Sequence, residues 1–182
     1  MYDKLRGELV SLPPTHRSTV GHSHVLPPEL RTNDAAFAVL HRLLQKAAMR
    51  LRSYNCIAGS LMVRIKYINK ERWGDDLNID PTSDTITLLD AFTTMWNSSP
   101  LPEAKPLMVS VVLYKLTDER SHTPSLFGKE HQRTELNKAL DKLNYKFGKN
   151  SVFYAGATSA LTSAPMRIAF NHIPDLKTES DE

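Results

Sequence analysis

This chain of 182 residues has one cysteine, only seven glycines and no apolar run near the roughly 20 residues that cross a bilayer. Lone Cys56 excludes an internal disulfide and a zinc site of paired cysteines. It suits a reducing compartment, where its expected role is a small buried hydrophobe at the start of a strand. Met1 to Pro14 carries Asp3, Lys4, Arg6 and Glu8 where a signal peptide needs an apolar stretch, so a cytoplasmic protein is expected. There is no internal repeat, no glycine-rich phosphate loop, no nucleophile on a strained turn and no persuasive Ser-His-Asp or Cys-His order. Catalysis by this chain alone is therefore not expected.

What is present is core material and an uneven charge. The 41% hydrophobic content is ordinary for a globular protein, and the length allows one domain with a substantial appendage or two small ones. The net charge of +3 conceals a division. From Arg17 to Arg72 the bases Arg17, Arg31, Arg42, Lys46, Arg50, Arg52, Arg64, Lys66, Lys70 and Arg72 face only Glu29, Asp34 and Glu71. Between Trp73 and Asp90 stand Asp75, Asp76, Asp80, Asp84 and Asp90 with no base at all. Such asymmetry fits either a polyanionic partner for the first part or the scattered charges of a soluble surface.

Periodicity organises the chain around Arg17 to Tyr54. A hydroxyl- and histidine-rich strand, Arg17 to Leu26, has Gly21 at its middle, where a bulge or a close backbone approach is permitted. After Pro27-Pro28, Phe37, Leu40, Leu44, Ala47, Ala48 and Leu51 recur at helical spacing, with Asn33 or Asp34 as cap and Arg42, Gln45, Lys46 and Arg50 on the opposite face. Leu61 to Ile68 then alternates with period two. Leu61, Val63, Ile65 and Tyr67 point one way, Arg64 and Lys66 the other, and Lys70, Arg72 and Trp73 extend the basic edge into a turn. Leu77 to Thr82 is a short third strand, and Asp84 caps a second helix containing Leu88, Leu89, Phe92, Met95 and Trp96. Three prolines between Ser98 and Pro106 close it. The β-branched run Leu107 to Leu116 is a central strand. The fold class predicted is α+β, a βαββαβ four-stranded antiparallel sheet with two helices on one face and the other face free.

From Ser121 the composition changes. Ser121 to Ser125 is a linker, Leu126-Phe127 an apolar pair, and Lys129 to Phe147 a helix with Leu136, Leu140, Leu143 and Phe147 along a narrow stripe, stopped at Gly148. Ser151 to Ala155 and Met166 to Ile173 are expected to be extended, and Thr178 to Glu182 is an acidic disordered tail. The predicted division is 1–14, 15–119 and 120–182. Asp75, Asp76 and Asp80 are expected in a solvated turn, and His22 and His24 share one side of a strand without a clear third ligand. No metal or cofactor is predicted.

The stretch Arg17-Ser18-Thr19-Val20-Gly21-His22-Ser23 resembles the first strand of the little finger domain of bacterial Y-family translesion DNA polymerases of the UmuC and DinB type. Tyr2 to Val10 is similar to the last helix of the preceding thumb. Ser125-Leu126-Phe127, the helix with Ala139-Leu140-Asp141-Lys142-Leu143-Asn144, Phe147-Gly148, and Ala164 to Phe170 resemble the segment that follows the little finger in UmuC-like chains. The resemblance implies a piece of something larger, a nucleoid-associated module of DNA repair that holds primer-template duplex by its phosphates, with a polymerase core as a possible partner. By matched position it implies DNA contacts from Arg17, Ser18, Thr19, Gly21, His22 and Ser23. Arg64, Lys66, Lys70 and Arg72 follow from the next strand and turn, while Leu107 replaces an arginine common in relatives. Leu126 and Phe127 stand where relatives carry a sliding-clamp peptide, here without its glutamine and first leucine, so they either dock a partner or pack the tail helix on the domain. The rival expectation is a protein-interaction module for a repair partner or the clamp.

Overall fold

A computed structural model of the chain describes residues 17–98, 102–121, 130–148 and 151–161. Its body follows from the alternation. β1 (Thr19–Val25), α1 (Asn33–Ser53), β2 (Cys56–Tyr67), β3 (Arg72–Thr82), α2 (Thr85–Ser98) and β4 (Pro106–Asp118) succeed one another in the predicted order. The strands form one antiparallel sheet in the order β1-β4-β2-β3. The fold class is therefore the expected α+β arrangement, with the long apolar strands β2 and β4 at the centre. Leu61, Val63, Ile65 and Tyr67 are fully buried with Val109, Val111 and Leu113 against the apolar stripe of α1. Phe37 of α1 stacks on Phe92 of α2 with ring centroids 5.1 Å apart, and Trp96 meets Trp73 at 5.1 Å. These large rings close the end of the core under β3.

Several local expectations change. Thr32 is the cap of α1, its Oγ1 accepting from Ala35 N–H at 3.2 Å. Asn33 faces Tyr67, whose hydroxyl donates to its Oδ1 at 3.3 Å. Gly21 forms no bulge. It permits close approach, since an added Cβ would lie 2.9 Å from the Val111 oxygen. Cys56 opens β2 as expected but is only half-buried. β3 begins at Arg72, five residues earlier than the predicted strand, because a tight turn from Tyr67 to Glu71 already brings Arg72 opposite Lys66. Trp73 thus points into the core, and Asp75, Asp76 and Asp80 belong to a strand, not a turn.

The largest correction concerns the far side of α1. Arg42 and Gln45 were expected in solvent, yet Arg42 is 4% exposed. Residues 151–161 lie across this face, ending in a 3-10 turn at Ala155–Ala160, and Ser151 to Ala155 adds no strand. An irregular segment must find partners for its backbone groups, and α1 supplies them. Tyr154 N–H donates to Gln45 Oε1 at 3.0 Å, Gln45 Nε2 donates to the Tyr154 oxygen at 3.3 Å, and Arg42 Nη1 donates to the Ala160 oxygen at 3.1 Å.

The tail helix α3 (Glu130–Phe147) docks beside this seam by its polar side. Arg52 makes a two-pronged pair with Asp141, at 2.7 and 2.8 Å, and also reaches Ser83 O and Thr85 Oγ1. Asn137 donates to Asp84 Oδ1 at 2.7 Å, and Arg133 meets Asp84 Oδ2 at 3.2 Å. Asp84 also caps α2, accepting from Thr87 N–H at 2.9 Å. Burial alone would raise the Asp84 carboxyl, but hydrogen bonds from Thr87 and Asn137 and the Arg133 charge together hold it below its ordinary value. The expectations for Met1 to Pro14, Leu126-Phe127, Met166 to Ile173 and the acidic end lie outside the described residues.

Candidate nucleic-acid interface

Residues paired across an antiparallel sheet share a face, so the registers lay out the side of the sheet opposite the helices as rows. At the β2–β3 turn end the row is Val25, Met108, Lys66, Arg72. Next comes Ser23, Ser110, Arg64, Gly74, and then Gly21, Val112, Met62, Asp76. Thr19, Tyr114, Ser60 and Asn78 make the last. Arg64, Lys66 and Arg72 are exposed, and the backbone conformation that exposes them is the one that buries Val63, Ile65 and Trp73. Beside them the turn carries Lys70, and Lys105 lies alongside it, its carbonyl accepting from Ile68 N–H at 3.0 Å.

The ten matched positions do not form one patch. Ser23 joins Arg64, Lys66, Lys70 and Arg72 at the turn end, whereas Arg17, Ser18 and Thr19 lie at the opposite end, about 20 Å away at the rise of a strand. Arg17 rests its guanidinium 3.5 Å from the centroid of the Tyr54 ring. Gly21 is exposed between the two groups. His22 departs from the set: it pairs with Val111, a buried residue of the helix side, so its imidazole is on the wrong face to join Arg64. His24 follows it there. Sequence patterns missed Ser110, which fills the gap between Ser23 and Arg64, and Lys105. A serine in an apolar strand was a signal for the first, while the second depends on how the proline-rich connection folds back.

β1 adds a second kind of donor. It pairs only with β4 among the described residues, and Leu26 N–H donates to the Leu107 oxygen at 2.8 Å. Antiparallel alternation then turns the N–H groups of Thr19, Gly21, Ser23 and Val25 toward the outer edge of the sheet. The turn lysine is also informative. Lys70 has φ 71°, a left-handed conformation that glycine or asparagine adopts at lower cost. Lys115, with φ 54°, sends its Nζ to Asn78 Oδ1 at 2.6 Å.

Basic side chains beside an edge of backbone donors are the chemistry that recognises a polyanion. The model of the impB/mucB/samB family C-terminal domain matches residues 17–126. The chain belongs to this family. The matched region is the little finger of Y-family DNA polymerases, and the catalytic core of such enzymes lies outside it. No curated protein matches the chain. The match begins at Arg17 and takes in the whole four-stranded sheet, so the rows described above are the open face of the little finger.

Proposed function

We propose that this little finger binds duplex DNA through its phosphates, without regard to sequence, as the DNA-holding module of a translesion polymerase in DNA repair. Residues 15–119 form the binding unit, and the chain alone does not extend primers. The observation that carries this is the adjacency of Lys66 and Arg72 in one row with Ser23, Ser110 and Arg64 in the next, on the solvent side of a sheet whose other side is core. Phosphate contacts of this kind grip any sequence and loosen with salt, which suits a protein that must slide. The left-handed Lys70 supports it, since a cation is kept at a turn tip at a conformational cost.

The test is a titration of two unrelated duplexes across a salt series. Replacing Arg64 and Lys66 together with alanine should leave folding intact, because their strand neighbours supply the packing. Each lost phosphate contact removes about 0.9 from the slope of log affinity against log salt, so the slope should flatten by somewhat under two units, equally for both sequences. An unaltered slope in the folded double variant, or a loss confined to one sequence, refutes the assignment.

One observation favours a second role, the docking of a protein partner such as the sliding clamp or a polymerase core. Leu136, Leu143 and Phe147 of α3 are 44%, 40% and 63% exposed, a narrow apolar stripe turned away from the domain. Substitution of Leu143 and Phe147 should leave the salt slope for DNA unchanged while reducing partner binding.

A further inference from the structure

The open face is basic at only one end. Asp76 stands in the third row, directly across β2 from Met62 and next to the row of Arg64. Tyr114 Oη donates to its Oδ2 at 2.8 Å, reaching from β4. That bond draws the carboxylate inward over the sheet, so it does not trail into solvent at the strand edge. Asp80 is exposed farther along the same strand, while Asp75 pairs with buried Val63 and so belongs to the helix side. The far end of edge strand β3 is thus anionic, two rows from Arg72 on the same strand and separated from β1 by β2 and β4.

We infer that Asp76, with Asp80, directs the path of the DNA backbone by repulsion. The inference rests on the DNA-binding reading of the same face. A phosphate strand crosses from Lys70 and Arg72 over Arg64 and Ser110 to Ser23, and then follows the outer N–H groups of β1 toward Arg17. A course along β3, parallel to the strand, brings phosphates onto both carboxylates, with Lys115 nearby to offset them in part. The face therefore favours the course across the strands over the course along β3, and Asp76 is a positioning residue whose contribution to affinity is negative.

The experiment uses the full chain with Asp76 and Asp80 both changed to asparagine, measured by fluorescence anisotropy on two unrelated duplexes. Each variant's thermal unfolding is checked in parallel. Asp90→Asn is the control, because Asp90 is exposed on α2 on the other side of the sheet. Charges within roughly 10 Å of a phosphate interact weakly in water, so removing two should tighten binding about three- to fivefold near ~50 mM salt, fading as salt rises. Asp90→Asn should change affinity by less than about twofold. An unchanged or weaker Asp76/Asp80 variant overturns the inference while leaving DNA binding intact, provided that the Arg64/Lys66 double variant still loses affinity. An equal gain from Asp90→Asn overturns it too, since net charge alone would then account for the effect. Absence of any duplex binding by the native chain at low salt overturns both this and the DNA reading.

Discussion

Gly74 is the position where the binding face tolerates least change. It has φ 130°, and an added Cβ would fall inside contact distance of the Val63 carbonyl oxygen and 2.8 Å from Arg64 Cα. Both the dihedral and the contact oppose any side chain, so Gly74→Ala should cost roughly 2–3 kcal/mol, read as a lower midpoint in urea unfolding. The variant should also lose DNA affinity in proportion to unfolding, since Arg64 lies across from Gly74 in the register. Single side chains on the face behave differently. Lys66 and Arg72 pair across β2 and β3 as like charges, an arrangement that costs stability and that an anion bound between them would relieve.

At the scale of elements, α3 inverts the usual logic of an amphipathic helix. Its stripe predicts inward-facing leucines, yet Asn137 is 1% exposed and Leu143 is 40% exposed. The cause is Asp84, a helix-capping carboxylate that gains Asn137 and Arg133 as partners only when the polar side of α3 comes to it. Asn137→Ala leaves Asp84 Oδ1 short of a half-buried donor and should cost about 1–2 kcal/mol, whereas Leu143→Ser should change stability by less than about 0.5 kcal/mol. Equal losses for the two in thermal unfolding would mean that the stripe, and not the polar side, holds the helix.

Over the whole molecule, the seam between α1 and residues 151–161 makes tail docking sensitive to pH. His41 is 8% exposed in that seam, with Gly156 pressed so close that an added Cβ would lie 2.5 Å from its Nε2. Gln45 Oε1 accepts from Tyr154 N–H, which fixes the amide and aims Gln45 Nε2 at His41 Nδ1, 3.0 Å away. An amide N–H needs a lone pair there, so the docked imidazole is neutral, and burial lowers its pKa from 6.5. Undocked, His41 takes up a proton first; docking is therefore complete above pH 6.5 and weakens as pH falls below it. Amide-exchange protection at Tyr154 and Ala157, corrected for intrinsic rates, should fall over that range, and His41→Gln should flatten the dependence.

The sheet and its two helices were legible because they rest on local periodicity. Val63, Arg64, Ile65 and Lys66 declare their faces within four residues, and Asp84 announces a helix with its own carboxylate. β3 was only half legible, since Arg72 to Asp76 has no apolar alternation and is held as strand by β2. The candidate site was legible as a list of residues but not as a surface. Whether Ser23 or His22 shares a face with Arg64 depends on the registers of β1 with β4 and β4 with β2, which join positions far apart in sequence. By itself the sequence determined the elements, the family and the basic strand, all encoded in short-range pattern. Only the tertiary structure decided that Arg42 and Gln45 are covered, that α3 shows its leucines to solvent, and that Asp76 shares the open face with Arg64. Each of those follows from a hydrogen bond or charge whose partner is remote in the chain, and no local periodicity records it.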